Sequence, residues 1–254
     1  MTSPGVKRIA LVTGGSSGIG EAFAEVFAAE GFDIVITARR EERLRAVQSR
    51  LQEKYGVRVE LIVEDLEQPA APARLCAALE AHGLKIDVLV NNAGYGVPGS
   101  YLSSSWDVHA RFLQIMVTAV ADLTYRLLPG MIDRQYGRII NVASVSGLQA
   151  SGRYGPPYAG YAASKAGLMG LTRELAGSWG HQGIRVNAIA PGFFHSRLAD
   201  AAIALVEDSI KERSPIPRVG DAGELKGVVV FLAADASNYI TGQVVVVDGG
   251  RSIV

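Results

Sequence analysis

The chain has 254 residues, a length that suits one large domain or two small ones. Its 25 lysines and arginines offset 25 aspartates and glutamates, so no charge excess is available for binding nucleic acid or an anionic membrane surface. A hydrophobic fraction of 48% with 20% charged residues excludes a disordered chain. Glycine is unusually frequent at 29 residues, and we expect glycines at turns where the backbone approaches another group.

The sequence predicts neither a targeting segment nor a membrane-spanning one. The first apolar strand begins near Arg8, which leaves no room for a signal peptide. The longest unbroken apolar stretch, residues 228–234, is much shorter than a membrane helix. The single cysteine, Cys76, cannot form a disulfide within the chain, which fits a reducing compartment. These features together predict a cytoplasmic location.

Short β-branched runs alternate with longer amphipathic stretches from one end of the chain to the other. The runs predict strands over residues 8–13, 33–37, 57–63, 87–90, 138–142, 185–189 and 244–247. The stretches predict helices over residues 18–30, 41–55, 70–82, 108–134, 161–180 and 222–233. Several runs are apolar on both faces, as in a parallel sheet covered by helices. The alternation predicts a doubly wound α/β sheet in one domain, residues 1–254, with an insert at about 193–220 before the last helix.

The sequence TGGSSGIG joins the first predicted strand to the first predicted helix. Gly14 permits a tight turn, Gly18 lets the backbone approach a pyrophosphate, and Gly20 lets helix and strand pack closely. The N–H groups at a helix N-terminus favour an anion, so we predict the phosphate site of a dinucleotide here. The other candidate residues of this loop are Ser16, Ser17 and Ile19.

The end of the second predicted strand bears on the choice between NAD and NADP. An NAD site normally places a carboxylate there for the ribose 2′-hydroxyl, whereas a 2′-phosphate requires cations. This chain has Ala38, which removes that repulsion, followed by Arg39 and Arg40, and a guanidinium group is a bidentate partner for phosphate. The pattern predicts NADP, with NAD as the less favoured alternative.

Six motifs in one order resemble those of the short-chain dehydrogenase/reductase superfamily, in its single-domain branch. They are TGGSSGIG, NNAG, INVASVSG, YAASK, NAIAPG and YITGQVVVVDGG, beginning at residues 13, 91, 140, 161, 187 and 239. The resemblance covers nearly the whole chain. It implies a Rossmann-type doubly wound sheet of seven parallel strands in the order 3-2-1-4-5-6-7, with helices on both faces.

The resemblance also implies further cofactor-binding residues and a substrate-binding loop at residues 193–220. These cofactor-binding residues are Asp65 and Leu66 at the adenine, Asn91, Ala93 and Gly94 along the cleft, Pro191 and Gly192 beside the nicotinamide, and Ser196 in the loop.

Tyr161 and Lys165 stand four residues apart on a predicted helix and therefore share one face. A phenol with a pKa near 10 is a poor base at neutral pH, and lowering that pKa by about three units requires roughly 4 kcal/mol. A neighbouring ammonium and an oxidised nicotinamide provide charge of the right sign. The resemblance implies that Tyr161 exchanges the proton with the substrate oxygen, that Lys165 also binds ribose hydroxyls, and that Ser144 hydrogen-bonds the substrate oxygen.

The chain departs from the family pattern in two places. The segment between Ser144 and Tyr161 is about four residues longer than the commonest family spacing, and the stiff aromatic residues 154–158 should reshape the pocket mouth. Met116 occupies the place of the family asparagine, which distorts its helix and holds a water that links the lysine to solvent. A thioether is a weak acceptor and no donor, so we expect Met116 to fill that space with apolar volume.

The sequence therefore predicts reversible NADP-linked hydride transfer between an alcohol and a ketone or aldehyde. A 3-oxoacyl-carrier-protein reductase is the alternative within the family. Our alignment places Gln135 and Gln182 where such enzymes need basic residues, although Arg134, Arg138 and Arg173 are nearby. A non-catalytic NADP-binding sensor is the alternative of another class. We further expect a small-molecule substrate, no metal, no nucleic-acid or membrane partner, and a homo-oligomer, with a tetramer as the preferred form.

Overall fold

Seven strands form one parallel sheet at the centre of the computed structural model, which describes residues 7–96, 101–150, 159–195, 203–204 and 207–254. The strands lie in the order β3-β2-β1-β4-β5-β6-β7, which confirms the predicted topology. Their bounds are β1 Ile9–Thr13, β2 Asp33–Ala38, β3 Val59–Val63, β4 Val88–Asn91, β5 Gly137–Val142, β6 Ile184–Pro191 and β7 Val244–Val247.

Helices cover both faces of this sheet. Their bounds are α1 Gly18–Ala29, α2 Glu41–Tyr55, α3 Ala71–Ala81, α4 Trp106–Leu113, α5 Ala119–Asp133, α6 Ala159–Trp179, α7 Glu207–Arg213 and α8 Lys226–Ala233. Because strand side chains alternate between faces, Val12 contributes to the core under α1, α2 and α8, while its neighbour Leu11 contributes to the core under α3 and α5. Both side chains are fully buried, as expected for a sheet covered on both sides.

The predicted helix over residues 108–134 is interrupted by a π-helical turn at Gln114–Thr118, between α4 and α5. The whole helical segment Trp106–Asp133 is long and apolar enough to cross a membrane by length and composition alone. Sequence analysis had indicated no such segment. One face of this segment is part of the protein core, because Phe112, Leu123 and Met131 are buried against neighbouring elements.

The insert between β6 and α8 is closed at its base. The Gly220 N–H donates to the Phe193 carbonyl at 2.9 Å, and the His195 N–H donates to the Gly220 carbonyl at 2.8 Å. Within the insert, α7 contributes Ile210 to a small buried cluster with Val219. Sequence analysis missed α7, because a seven-residue helix of mostly charged residues has too few apolar positions to show a helical period.

Candidate active site

The glycine-rich loop between β1 and α1 fits a dinucleotide phosphate. Gly14 and Gly18 adopt φ values of +71° and +60°, which side chains other than glycine rarely tolerate. A Cβ on Gly20 would lie 2.4 Å from the Gly14 carbonyl oxygen, so only glycine permits this approach of helix to loop. Ser17 precedes α1 without a side-chain capping bond, which leaves the helix N-terminus suited to an anion.

Thr13 and Asn92 fix this loop against the end of β4, and sequence analysis did not identify either residue. The Thr13 hydroxyl accepts from the N–H groups of Asn92 and Ala93, both at 2.9 Å. The Asn92 amide nitrogen donates back to the Thr13 carbonyl at 2.9 Å. These contacts form because β1 and β4 are neighbours in the sheet. The signal in the sequence that could have indicated them is the polar residue at the end of each strand.

Asn91, predicted along the cleft, has its side chain in the protein interior. Its amide nitrogen donates to the Asn141 side chain at 2.9 Å and to the Thr124 hydroxyl at 3.3 Å. The Asn141 amide continues this buried network to Thr172 on α6 at 2.9 Å. The side chain of Asn91 thus connects β4 to β5 and α5, and a contact with the cofactor stays a prediction.

Arg39 and Asp65, two of the residues predicted at the adenosine end, line an open recess of about 560 Å³. Leu66 is buried, and the contacts of all three with the cofactor stay predictions. The Arg40 guanidinium donates to the Ser17 hydroxyl at 3.2 Å, which connects the cationic strand end to the glycine-rich loop. The structure adds residues to the recess that sequence analysis did not single out: Val63, Glu64, Gln68 and Arg74.

Ser144 and Tyr161 are brought together by the turn that follows β5. Ser144 precedes the short 3₁₀ helix Val145–Gly147, and its hydroxyl accepts from the Ser146 N–H at 3.2 Å. A Cβ on Gly147 would lie 2.7 Å from the backbone of Lys165 on α6, so glycine permits the close contact between this turn and α6. The Tyr161 hydroxyl is hydrogen-bonded with Ser144.

Lys165 is buried beside Tyr161. Its Nζ donates to the Val142 carbonyl at 2.7 Å and lies 5.6 Å from the centroid of the Tyr161 ring. Burial lowers the pKa of Lys165 to about 8. Burial also raises the pKa of the Tyr161 hydroxyl, and the hydrogen bond with Ser144 offsets part of that effect. These side chains therefore do not by themselves provide the lowered tyrosine pKa that sequence analysis expected.

Met116 lies within the π-helical turn and fills the space beside Tyr161. Its side chain is 2% exposed and belongs to an apolar cluster with Phe112, against which the Tyr161 ring packs. A Cβ on Gly94 would lie 2.4 Å from the Met116 sulfur, so the thioether lies directly against the predicted cofactor cleft. The π-helical turn distorts the helix at the position assigned to the family asparagine. The Met116 side chain fills the space there with apolar volume, as expected.

Pro191 and Gly192 lie at the carboxyl end of β6. The Gly192 N–H donates to the Val247 carbonyl at 2.9 Å, and a Cβ on Gly192 would lie 2.7 Å from the Asp248 Cβ. Close packing against the end of β7 therefore requires glycine here. The predicted cofactor residue Ser196 and the aromatic insert at 154–158 lie outside the described residues.

The fold and site together define a nicotinamide-dinucleotide oxidoreductase, with a glycine-rich phosphate loop and a Ser–Tyr–Lys group at the carboxyl edge of one parallel sheet. A family model described as enoyl-(acyl carrier protein) reductase matches residues 14–252. The chain belongs to the short-chain dehydrogenase/reductase family. It is an oxidoreductase of the class that acts on CH–OH and C=O groups.

Curated and solved relatives extend over nearly the full chain. The 3-oxoacyl-[acyl-carrier-protein] reductase FabG of Aquifex aeolicus is 35% identical, with 96% of each chain covered. A putative gluconate dehydrogenase from Agrobacterium tumefaciens has a TM-score of 0.91 at 32% identity, covering 97% of this chain and 96% of that one. The L-sorbose reductase of Gluconobacter frateurii, complexed with NADPH and L-sorbose, has a TM-score of 0.89 at 32% identity, covering 98% and 97%. The predicted family, fold, enzyme class and NADP cofactor agree with these comparisons.

Proposed function

We propose that this protein reduces a ketone or aldehyde with NADPH, and oxidises the corresponding alcohol with NADP in reverse, with Tyr161 as the acid–base group. The observation that supports this proposal most directly is that three side chains come together. Tyr161 is hydrogen-bonded with Ser144, and the Lys165 ammonium lies 5.6 Å from the centroid of the Tyr161 ring. When bound, NADP(H) supplies or accepts the hydride. The site residues supply position and the proton.

The roles follow from the chemistry of each group. Ser144 hydrogen-bonds the substrate oxygen and holds it beside Tyr161. Tyr161 donates its proton to that oxygen during reduction, and its raised pKa keeps it in the donating form at neutral pH. Lys165 binds the ribose hydroxyls and adds positive charge near the phenol.

Arg39 and Arg40 support NADP as the cofactor of this chain. Both follow Ala38 at the end of β2, and Arg39 lies on the adenosine-end recess. Guanidinium groups are bidentate donors for a phosphate, which NADP carries on its ribose and NAD lacks. The NADPH bound to the sorbose reductase agrees with this choice.

A turnover assay with NADPH and a panel of ketones, aldehydes and ketoses tests the proposal, with NADPH absorbance as the readout. We expect turnover with at least one carbonyl compound. Tyr161→Phe should abolish that turnover and leave the NADPH dissociation constant within a few-fold, because the hydroxyl acts on the substrate oxygen. Tyr125→Phe is the matched control, since this exposed tyrosine lies on α5 away from the site.

Two outcomes of that assay would overturn the proposal. Tight NADPH binding without turnover of any carbonyl compound would instead support the non-catalytic sensor. A Tyr161→Phe variant with wild-type turnover would refute the role of the tyrosine.

A second candidate is a 3-oxoacyl-carrier-protein reductase, which the similarity to FabG favours. The charges around α5 and α6 weaken it. Arg138 is 3% exposed, and Arg134 donates to the Ile86 carbonyl at 2.6 Å, so both guanidinium groups serve the fold. Arg173 is the exposed member of the three arginines considered for docking. Comparing a 3-oxoacyl group on the carrier protein with the same group on coenzyme A tests this candidate, since a carrier reductase should prefer the carrier.

We also propose that residues 1–254 form one domain and that copies of it associate in the cytoplasm. The strands of the single sheet run from Ile9 to Val247, which supports one domain. Tyr125 is 76% exposed on α5, and Val246 is 39% exposed on β7 at the end of the sheet. Such apolar exposure favours contact with a second copy.

A further inference from the structure

Beside the adenosine-end recess, a carboxylate pairs with the cation proposed to bind phosphate. The Glu67 carboxylate oxygen lies 2.9 Å from a terminal nitrogen of the Arg39 guanidinium. The Arg39 side chain is 57% exposed, whereas Glu67 is 18% exposed. The guanidinium therefore faces the open recess while the carboxylate lies largely behind it.

Glu67 is held in this place by its own backbone and by Tyr95. The Glu67 N–H donates to the Asp65 carboxylate at 3.1 Å, which fixes the turn after β3. Burial and the nearby Glu67 carboxylate raise the pKa of the Tyr95 hydroxyl. The Tyr95 ring packs edge-on against Phe112, with centroids 5.5 Å apart, so the group facing Glu67 is itself supported by the core.

The other arginine on the recess is also paired. Arg74 donates to both carboxylate oxygens of Glu64, at 3.0 and 2.7 Å. Each arginine that lines the recess therefore has a carboxylate partner. A 2′-phosphate, with a charge of about −1.5 to −2, must share Arg39 with Glu67. The uncharged 2′-hydroxyl of NADH meets no such repulsion.

We propose that Glu67 is a specificity-determining residue that limits the preference for NADPH over NADH by pairing with Arg39. The proposal rests on the assignment of Arg39 to the 2′-phosphate. Repulsion between a carboxylate and a phosphate on opposite sides of one guanidinium, in a recess open to water, weakens NADPH binding by roughly five- to tenfold. Surrounding salt screens this repulsion, so the effect decreases as ionic strength rises.

Glu67→Gln tests the proposal, because the amide keeps the size of the side chain and an acceptor for Tyr95 but removes the charge. Dissociation constants are measured by fluorescence titration for NADPH and NADH. Adenosine 2′,5′-bisphosphate and 5′-AMP repeat the comparison without the nicotinamide, so the readout is independent of turnover. We expect the two 2′-phosphorylated ligands to bind roughly five- to tenfold more tightly to the variant, and the other two to change less than about twofold.

Glu42→Gln is the matched control. Glu42 lies exposed in the first turn of α2, three residues after Arg39, and is not the carboxylate that Arg39 contacts. The Glu42→Gln substitution removes one negative charge near the end of β2, as Glu67→Gln removes one near Arg39. An equal gain in Glu42→Gln would overturn the proposal, because the effect would then reflect net charge and not the Arg39–Glu67 pair.

Arg39→Ala separates this inference from the proposed function. If Arg39→Ala abolishes the NADPH preference while Glu67→Gln leaves it unchanged, the role of Glu67 is refuted and that of Arg39 stands. If Glu67→Gln weakens NADPH binding, Glu67 positions Arg39 for the phosphate, and the proposal is again overturned. If Arg39→Ala leaves the preference intact, the assignment of Arg39 is wrong.

Discussion

Lys165 holds an ammonium group in a place where the protein excludes water almost entirely. Its side chain is 6% exposed, and burial lowers its pKa to about 8. An unfolded lysine has a pKa of about 10.4, so between about pH 8 and pH 10.4 the unfolded chain binds more protons than the folded one. The free energy of unfolding therefore rises with pH across this window. Below pH 8, the folded protein bears the full desolvation cost of the charged lysine, which lowers its free energy of unfolding.

Comparing wild type with Lys165→Met by urea unfolding at pH 7 and pH 10 measures this contribution. We expect the wild type to gain about 2 kcal/mol relative to the variant between the two pH values, because the variant has no group to deprotonate. Other titrating groups are common to both chains and cancel in the difference. Unfolding free energies that change in parallel would show that Lys165 titrates normally in the folded state.

Arg39 carries the expected discrimination between the two dinucleotides. We expect the wild type to bind NADPH at least tenfold more tightly than NADH, through the contact of Arg39 with the 2′-phosphate. Arg39→Ala should remove most of this preference in a titration with both cofactors. Arg45→Ala is the control, because Arg45 pairs with Glu41 on the exposed face of α2. Equal dissociation constants for NADPH and NADH in the wild type would contradict the assignment.

The candidate catalytic residues were predicted from patterns in the sequence, whereas their contacts in the structure could not be predicted. The spacing of Tyr161 and Lys165 and the position of Ser144 after a strand were visible as patterns. The Lys165 bond to Val142 and the pairing of Arg39 with Glu67 join residues that are far apart in the chain. Only the folded arrangement of the strands brings such groups together.

Among the secondary-structure elements, strands were predicted well and changes in helix type were not. Strand β7 has the predicted bounds, because its flanking glycines and its run of valines mark both ends. The π-helical turn at Gln114–Thr118 remained hidden inside a predicted helix. The one extra residue of a π-helical turn rotates the apolar residues that follow by a fraction of one helical turn. That rotation is smaller than the width of the apolar face, so the helical pattern in the sequence appears unbroken.

That π-helical turn contains Met116, whose side chain belongs to the apolar cluster against which Tyr161 packs. We expect Met116→Asn to raise kcat several-fold with little change in NADPH affinity, because an amide can hold water for proton resupply. A relay of this kind contributes about 10²–10⁴-fold, and the loss of the resupply step alone belongs at the low end. The solvent isotope effect on kcat should decrease in the same variant.

Met116→Leu is the control for Met116→Asn, since it keeps the apolar volume and should leave kcat near wild type. Thermal unfolding of both variants shows whether the core around Phe112 stays intact. A folded Met116→Asn enzyme with unchanged or lost turnover would mean that protons reach Tyr161 by another route.

At the scale of the whole molecule, we expect a homo-oligomer, with a tetramer as the preferred form. Helix α5 exposes Tyr125 and β7 exposes Val246, while Tyr239 near β7 is fully exposed. Burying these groups between copies removes apolar surface from water. Light scattering at micromolar concentration should give about four times the chain mass of 26.9 kDa. A mass equal to one chain would reject association.

The closed base of the insert between β6 and α8 has a consequence for evolution. Because Phe193, His195 and Gly220 bond to one another, the chain between them starts and ends at one point. A change of length within the insert therefore leaves β6 and α8 joined at the same point. Each doubling of the length of a closed loop costs only about 0.6 kcal/mol of closure entropy. We therefore expect changes of substrate range to arise by descent in this part of the chain, while the proposed catalytic residues are inherited unchanged.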